Sequence, residues 1–120
     1  MIKRVVIFAL PEDADGDKFW EYHTKVHAPD VLKTVGWAIK KYTISRFKDV
    51  YIRTDNAFGK QRYFGLTEVW WESEEVLNKA LEDIKNTKLP DGKSVTEDFW
   101  AQVPEGFGAL VEEFVAKDFT

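Results

Sequence analysis

The chain opens with a β-branched, apolar run from Ile2 to Leu10 that puts apolar residues on both parities, Ile2, Val6, Phe8 and Leu10 on one and Val5, Ile7 and Ala9 on the other. Such a run predicts a first strand, ended by Pro11 and the acidic residues behind it. Asp15 is then placed to cap a helix, and Asp17 falls in its first turn, where a carboxylate suits the positive end of the helix dipole. Pro29 predicts that this helix ends or kinks close to His27, because a mid-helix proline removes the bond to the carbonyl of Lys25 and crowds that turn.

After Gly36, residues 37–47 are rich in strand formers and predict a second strand. It is expected to run on toward Arg53 before a long connection marked by the turn residues Asp55, Asn56 and Gly59. "YFGLTEVWW", residues 63–71, is the third strand. Ser73 caps a helix whose Val76, Leu77, Ala80, Leu81 and Ile84 form an apolar stripe at helical spacing. Beyond the turn at Pro90 and Asp91-Gly92, Thr96 is expected to cap a short helix through Trp100 and Gln102. Gly106 and Gly108 then lead into "ALVEEFVAKDF" as the expected last strand.

The order is β-α-β-β-α, a short extra helix, then β. That is the α+β, split βαβ pattern of a ferredoxin-like fold, with two helices on one face of a four-stranded antiparallel sheet. The other face has no helix left to cover it, yet the first strand is apolar on both sides. A second sheet from an identical subunit, packed face to face, is the economical cover and predicts a two-fold homodimer.

Size and charge narrow the rest. With 120 residues, the expectation is one domain spanning 1–120. No stretch approaches the roughly 20 apolar residues of a membrane span. "MIKRVVIFAL" lacks the small-residue cleavage site of a signal peptide and reads as strand. There is no cysteine, so disulfides, thiolate zinc sites and a cysteine nucleophile are excluded, and a reducing cytoplasm is the expected location. A net charge of -4 gives no long-range attraction to nucleic acid or an anionic membrane, so the expected partners are a small molecule and a second copy of the chain. Aromatic residues make up 15% of the sequence, more than a core of this size needs, and the excess is expected to line a pocket or an interface.

The candidate chemistry lies in "FWEYHTKVHAP", residues 19–29, which holds both histidines of the chain. With Phe19 at zero and about 100° per residue, Val26 falls near ~340°, His23 near ~40°, His27 near ~80° and Trp20 near ~100°. Both imidazoles therefore share the core-facing stripe. A break at Pro29 would open a gap beside His27, walled by Trp20, Tyr42 and one of Trp70 and Trp71. His23 reads first as a core residue tied to a partner, and His27 as a proton carrier near neutral pH. Tyr42 is placed to donate to a substrate oxygen. A metal site of His23, His27 and Asp30 is the sharper alternative, but Pro29 lies inside the triplet and no glutamate stands between the histidines as in zinc proteases. Serine occurs only at 45, 73 and 94, none in a nucleophile-elbow context. Glu68, between Leu66 and Trp70 on one parity, fits a buried acid, a dimer contact or an edge residue equally well.

"FWEYHTKVHAPDVLKTVGWAIKKY" and "GLTEVWWESEEVLNKAL", in this order, resemble the EthD-like family of dimeric α/β barrels, and "ALVEEFVAKDF" resembles that family's last strand. The resemblance implies a ferredoxin-like subunit that dimerises through its sheet, with a small-molecule pocket between sheet and helices and no metal or organic cofactor. It carries a pocket histidine onto His27 and a second-strand tyrosine onto Tyr42. The long polar connection from Phe47 to Arg62 and the segment with Trp100 and Phe107 depart from the pattern and are expected to form the rim or lid of the pocket. The function expected is a cofactor-independent lyase or isomerase (a dehydratase, decarboxylase or lactone isomerase) acting on a small hydrophobic, cyclic or aromatic, oxygenated metabolite. His27 and Tyr42 are the catalytic pair in this reading, and Trp20, His23, Trp70 and Trp71 hold the substrate. The alternative is a protein that binds such a molecule without converting it.

Overall fold

β-Branched and aromatic residues build the sheet, and side-chain caps set where the helices begin. A computed structural model describes residues 1–49, 51–54, 57–60 and 63–118, the side chains of 51–54 and 57–60 excepted. The elements are β1 (Ile2–Ala9), α1 (Gly16–Tyr22), α2 (Ala28–Val35), β2 (Ile39–Arg46), β3 (Tyr51–Thr54), β4 (Ala57–Lys60), β5 (Tyr63–Trp71), α3 (Glu74–Asn86), α4 (Val95–Gln102) and β6 (Glu105–Val111). Four strands pair in the order β2-β5-β1-β6, every neighbour antiparallel, and β3 pairs with β4 in a separate ladder. This is the ferredoxin-like α+β arrangement.

Asp15 caps α1, accepting from the amides of Asp17 and Lys18. Ser73 caps α3 in the same way through the amide of Val76. The fourth helix starts earlier than its threonine suggests. Ser94, not Thr96, is its cap, because Glu97 stands three residues on and closes a reciprocal capping box with it.

Three other expectations are corrected. The break expected close to His27 is present in another form: the α-helical pattern is interrupted there by a π-helical turn, His23–His27, but the chain does not leave the helix, which resumes as α2 with Pro29 in its first turn. One extra residue in that turn absorbs the proline, whose missing N–H would otherwise break the ladder. The second strand stops at Arg46, and β3 is a separate strand, with Gly59 inside β4; Asp55 and Asn56 lie outside the described residues. The last strand is Glu105–Val111 rather than 109–119, so both glycines lie within it. A Cβ at Gly106 would come 2.8 Å from the carbonyl oxygen of Ile7, 3.0 Å from the Trp100 ring and 3.1 Å from Cβ of Phe8. The strand can therefore lie against β1 there only without a side chain.

Residues of one parity face the helices. Phe8, Leu10, Phe19, Phe99 and Val103 form one core cluster, and Val35, Ala38, Trp71, Leu77 and Ala80 form a second. The opposite sheet face holds Val5, Ile7, Leu66 and Phe107 around an ion pair of Lys3 with Glu68 at 2.5 Å. Phe107 is half-exposed there. Among the described residues, no helix is long and apolar enough to cross a membrane.

Candidate active site

Between the two core clusters lies a cavity of about 110 Å³, floored by the sheet and roofed by the helices. Its floor is the helix-facing parity of three strands, Arg4 and Val6 from β1, Thr67, Val69 and Trp71 from β5, and Tyr42 from β2. The ladder register puts Arg4, Val69 and Tyr42 in one row across the sheet. Its roof includes His27, Val31 and Val35, with Phe99 and Trp100 of α4 closing one side.

The π-helical turn is what delivers His27 to this roof. His23 and His27 are both buried, their ring centroids 5.4 Å apart. His23 packs edge-on against Phe8 and Phe19 at 5.4 Å and 5.5 Å, deep in the first cluster, and it does not line the cavity. His27 lies against Phe99 at 5.0 Å and Tyr22 at 6.0 Å. Tyr22 in turn donates to Asp98 at 2.5 Å, tying α1 to α4 beside the imidazole.

Burial lowers His27 to about 4. Burial, and then the neighbouring His27, lowers His23 to about 4 as well. Both rings are thus neutral at pH 7, and His27 presents an unprotonated nitrogen. Burial likewise raises the Tyr42 phenol above its ordinary value, so it remains a hydrogen-bond donor. Burial and the bond to Asp98 raise Tyr22 in the same direction.

Several buried polar atoms find no partner among the described residues: both nitrogens of His23, Nδ1 of His27, Oγ1 of Thr67 and Nε1 of Trp71. The last three belong to residues that line the cavity. Unpaired buried polar groups are costly, and their gathering around one cavity, from roof and floor alike, is what a site for a polar ligand would leave.

The structure brings His27, Tyr42 and Trp71 together on this cavity and leaves three expected residues off it. Trp70 has the opposite parity and lies on the other sheet face, its ring flanked by the ammonium groups of Lys3 and Lys41, each 4.8 Å from the centroid. Trp20 is partly buried on α1 but is not part of the lining, and His23 is core. Among the described residues no group of three histidine, aspartate or glutamate side chains is arranged to hold a metal, so His23, His27 and Asp30 do not converge. Glu68 lies on the uncovered face, where it meets Lys3 and accepts from Thr43 at 3.4 Å. Arg4, Thr67 and Phe99 were not foreseen; of the segment expected at the rim, Trp100 lines the cavity, whereas Phe107 has the parity of Ile7 and lies on the other sheet face. Arg4 had a legible signal, a cation on the same parity as Ile2, Val6 and Phe8.

A helix-roofed antiparallel sheet with a cavity between its layers defines the ferredoxin-like subunit fold, and comparison with solved structures agrees. An EthD family protein from Bacillus halodurans C-125 superposes with a TM-score of 0.64 at 18% identity, covering 95% of this chain and 99% of that one. A dimeric ferredoxin-like protein from an uncultured marine organism gives 0.63 at 12% identity, covering 97% and 92%. SnoaB, a cofactor-independent oxygenase from Streptomyces nogalater, gives 0.53 at 13% identity over 98% and 95%. At these identities the likeness is one of fold. No family model and no curated protein matches the sequence.

Proposed function

We propose that the protein is a cofactor-independent lyase or isomerase for a small, cyclic or aromatic, oxygenated metabolite, with His27 moving a proton at a carbon next to a carbonyl. The observation that carries this reading is that His27 and Tyr42, a proton acceptor and a proton donor, both wall one apolar cavity. In the first step the free imidazole nitrogen takes the proton from carbon, and the electron pair moves onto the carbonyl oxygen, where the Tyr42 hydroxyl donates to the enolate. The imidazolium then returns the proton, to a different carbon in an isomerisation or to a departing hydroxyl, released as water, in a dehydration. Trp71 supplies a flat wall for the ring.

The size of the hollow bears on the substrate. At about 110 Å³ it is somewhat below the ~150 Å³ of an apolar cavity that takes up benzene, which favours a single ring over a fused system. A related reading, a carrier that binds such a molecule without converting it, is favoured by the low basicity of His27. A ligand that brings negative charge beside the ring would raise it back toward neutrality.

We also assign the uncovered sheet face to a homodimer, supported by its apolar residues of the strand interior and by the dimeric ferredoxin-like neighbour. Location in the cytoplasm belongs to the same reading.

The test is exchange in heavy water. One-ring ketones and lactones are incubated with the protein, and deuterium at the carbon next to the carbonyl is followed by proton NMR. The reading expects incorporation that falls by a factor of about a hundred or more in His27→Ala, the scale of a lost general base. Equal incorporation in both proteins would remove His27 from the chemistry. Binding without incorporation would favour the carrier.

A further inference from the structure

Arg4 sits on the helix-facing parity of β1 and lines the cavity, with Val69 opposite it on one side and Leu110 on the other. Among the described residues its side chain makes no ion pair and no hydrogen bond, and no aspartate or glutamate lines the cavity. Arg4 is partly buried, and its guanidinium reaches an apolar wall that offers it no counter-charge, so its donors are open to a ligand that brings one. The neighbouring strand makes room for it. A Cβ at Gly108 would lie 3.6 Å from Cγ2 of Val6 and 3.8 Å from Nε of Arg4, so the arginine runs beside bare backbone.

The other polar groups of the lining point to the same chemistry. Trp71 contributes a buried Nε1–H, which can only donate, and it has no partner among the described residues. Tyr42 stands in the same row as Arg4, with Val69 between them. Two strand spacings separate their backbones, about 10 Å. Donors therefore stand at both ends of a row whose middle is apolar, a pattern that suits a ring carrying acceptor oxygens at opposite ends.

We propose that the ligand of this cavity is a small cyclic carboxylic acid, its carboxylate on Arg4 and a second oxygen at Tyr42, with the ring over Val69. This rests on the reading of the cavity as a small-molecule site. Arg4 is then a specificity-determining residue: it selects acids over neutral molecules of the same shape, and its planar fork matches a carboxylate bidentately.

Calorimetric titration with benzoate and with benzamide, its uncharged isostere, tests the assignment on the intact protein. Wild type is expected to bind benzoate at least about tenfold more tightly than benzamide, the scale of one charge-assisted hydrogen-bonded pair. Arg4→Met should abolish that preference while benzamide affinity stays within about twofold, and Arg4→Lys should retain part of it. Equal binding of the two probes by wild type would overturn the carboxylate assignment and leave the cavity reading standing. So would a tenfold preference that persists in Arg4→Met. Failure of both probes to bind at millimolar concentration would overturn the assignment and the cavity reading together. Should Arg4→Met not fold, the wild-type ratio and Arg4→Lys decide the question.

Discussion

The backbone amide of Ala28 donates to the carbonyl of His23, five residues back rather than four. That one wide turn lets the helix carry Pro29 without breaking, and it leaves two neighbouring imidazoles buried under the roof of the sheet. Its consequence is a pair of neutral histidines in a protein that has no others.

Acid sensitivity follows from that pair. Both rings sit at about 4 in the native protein, below the ordinary 6.5, so the unfolded chain binds more protons as pH falls through 6.5. Their contribution is complete above pH 6.5, is lost as pH falls toward 4, and amounts at most to on the order of 3 kcal/mol per ring. Urea midpoints at pH 7.5 and pH 5.5 should therefore differ clearly. A midpoint unchanged over that interval would mean that the rings are already charged in the folded state.

His23→Leu separates the two histidines. Leucine fills the space among Phe8 and Phe19 and removes two nitrogens that have no partner among the described residues. Stability at pH 7 should change by less than about 1 kcal/mol, and the acid sensitivity should shrink. A loss above about 3 kcal/mol in thermal or urea unfolding would show that the imidazole holds a polar contact that matters.

Much of this fold is legible along the chain, and the failures have physical causes. Asp15 and Ser73 cap helices where their side chains can reach free amides, and residues 63–71 form a strand with the bounds their composition predicts. Pro29 misleads because its cost depends on the turn before it, and a π-helical turn is a response to packing that no local preference signals. The choice between Trp70 and Trp71 required the parity of a strand that is apolar on both faces, and only the paired register with Ile2 and Lys3 decides it. Of the expected site, His27, Tyr42 and Trp71 meet at the cavity because they share the core-facing side of three different elements; Phe99 and Trp100 complete it from a helix distant in sequence.

Ser94→Ala probes how α4 is held over the cavity. Losing both halves of the capping box should cost about 1 kcal/mol, up to about 2, and loosen Phe99 and Trp100 together. Weaker ligand binding should accompany the lower melting temperature. An unchanged melting temperature would mean that the tertiary contacts of α4 suffice without its cap.

Gly65→Ala tests the close approach of β2 and β5. The added Cβ would stand 2.6 Å from the carbonyl oxygen of Ser45 and 3.2 Å from the Phe8 ring, and backbone cannot yield cheaply. Destabilisation of about 1–3 kcal/mol is expected by urea unfolding. A neutral result would indicate a looser sheet than the register implies.

The uncovered face carries its own test. Ile7 lies there between Leu66 and Phe107, and Ile7→Glu would place an unpaired carboxylate in the middle of a sheet-to-sheet interface. Sedimentation velocity should show a dimer for the wild type and a monomer for the variant. A wild type that sediments as a monomer would remove the interface.

Ring nitrogen-15 NMR of the two histidines, recorded while one-ring ketones, lactones and benzoates are added, bears most directly on whether the cavity beneath His27 is a ligand site. The account predicts that at least one of these compounds shifts the His27 nitrogens at saturating concentration while those of His23, sealed in the core, barely move. If none of them moves His27, or if only His23 responds, the cavity is not where this protein meets a small molecule.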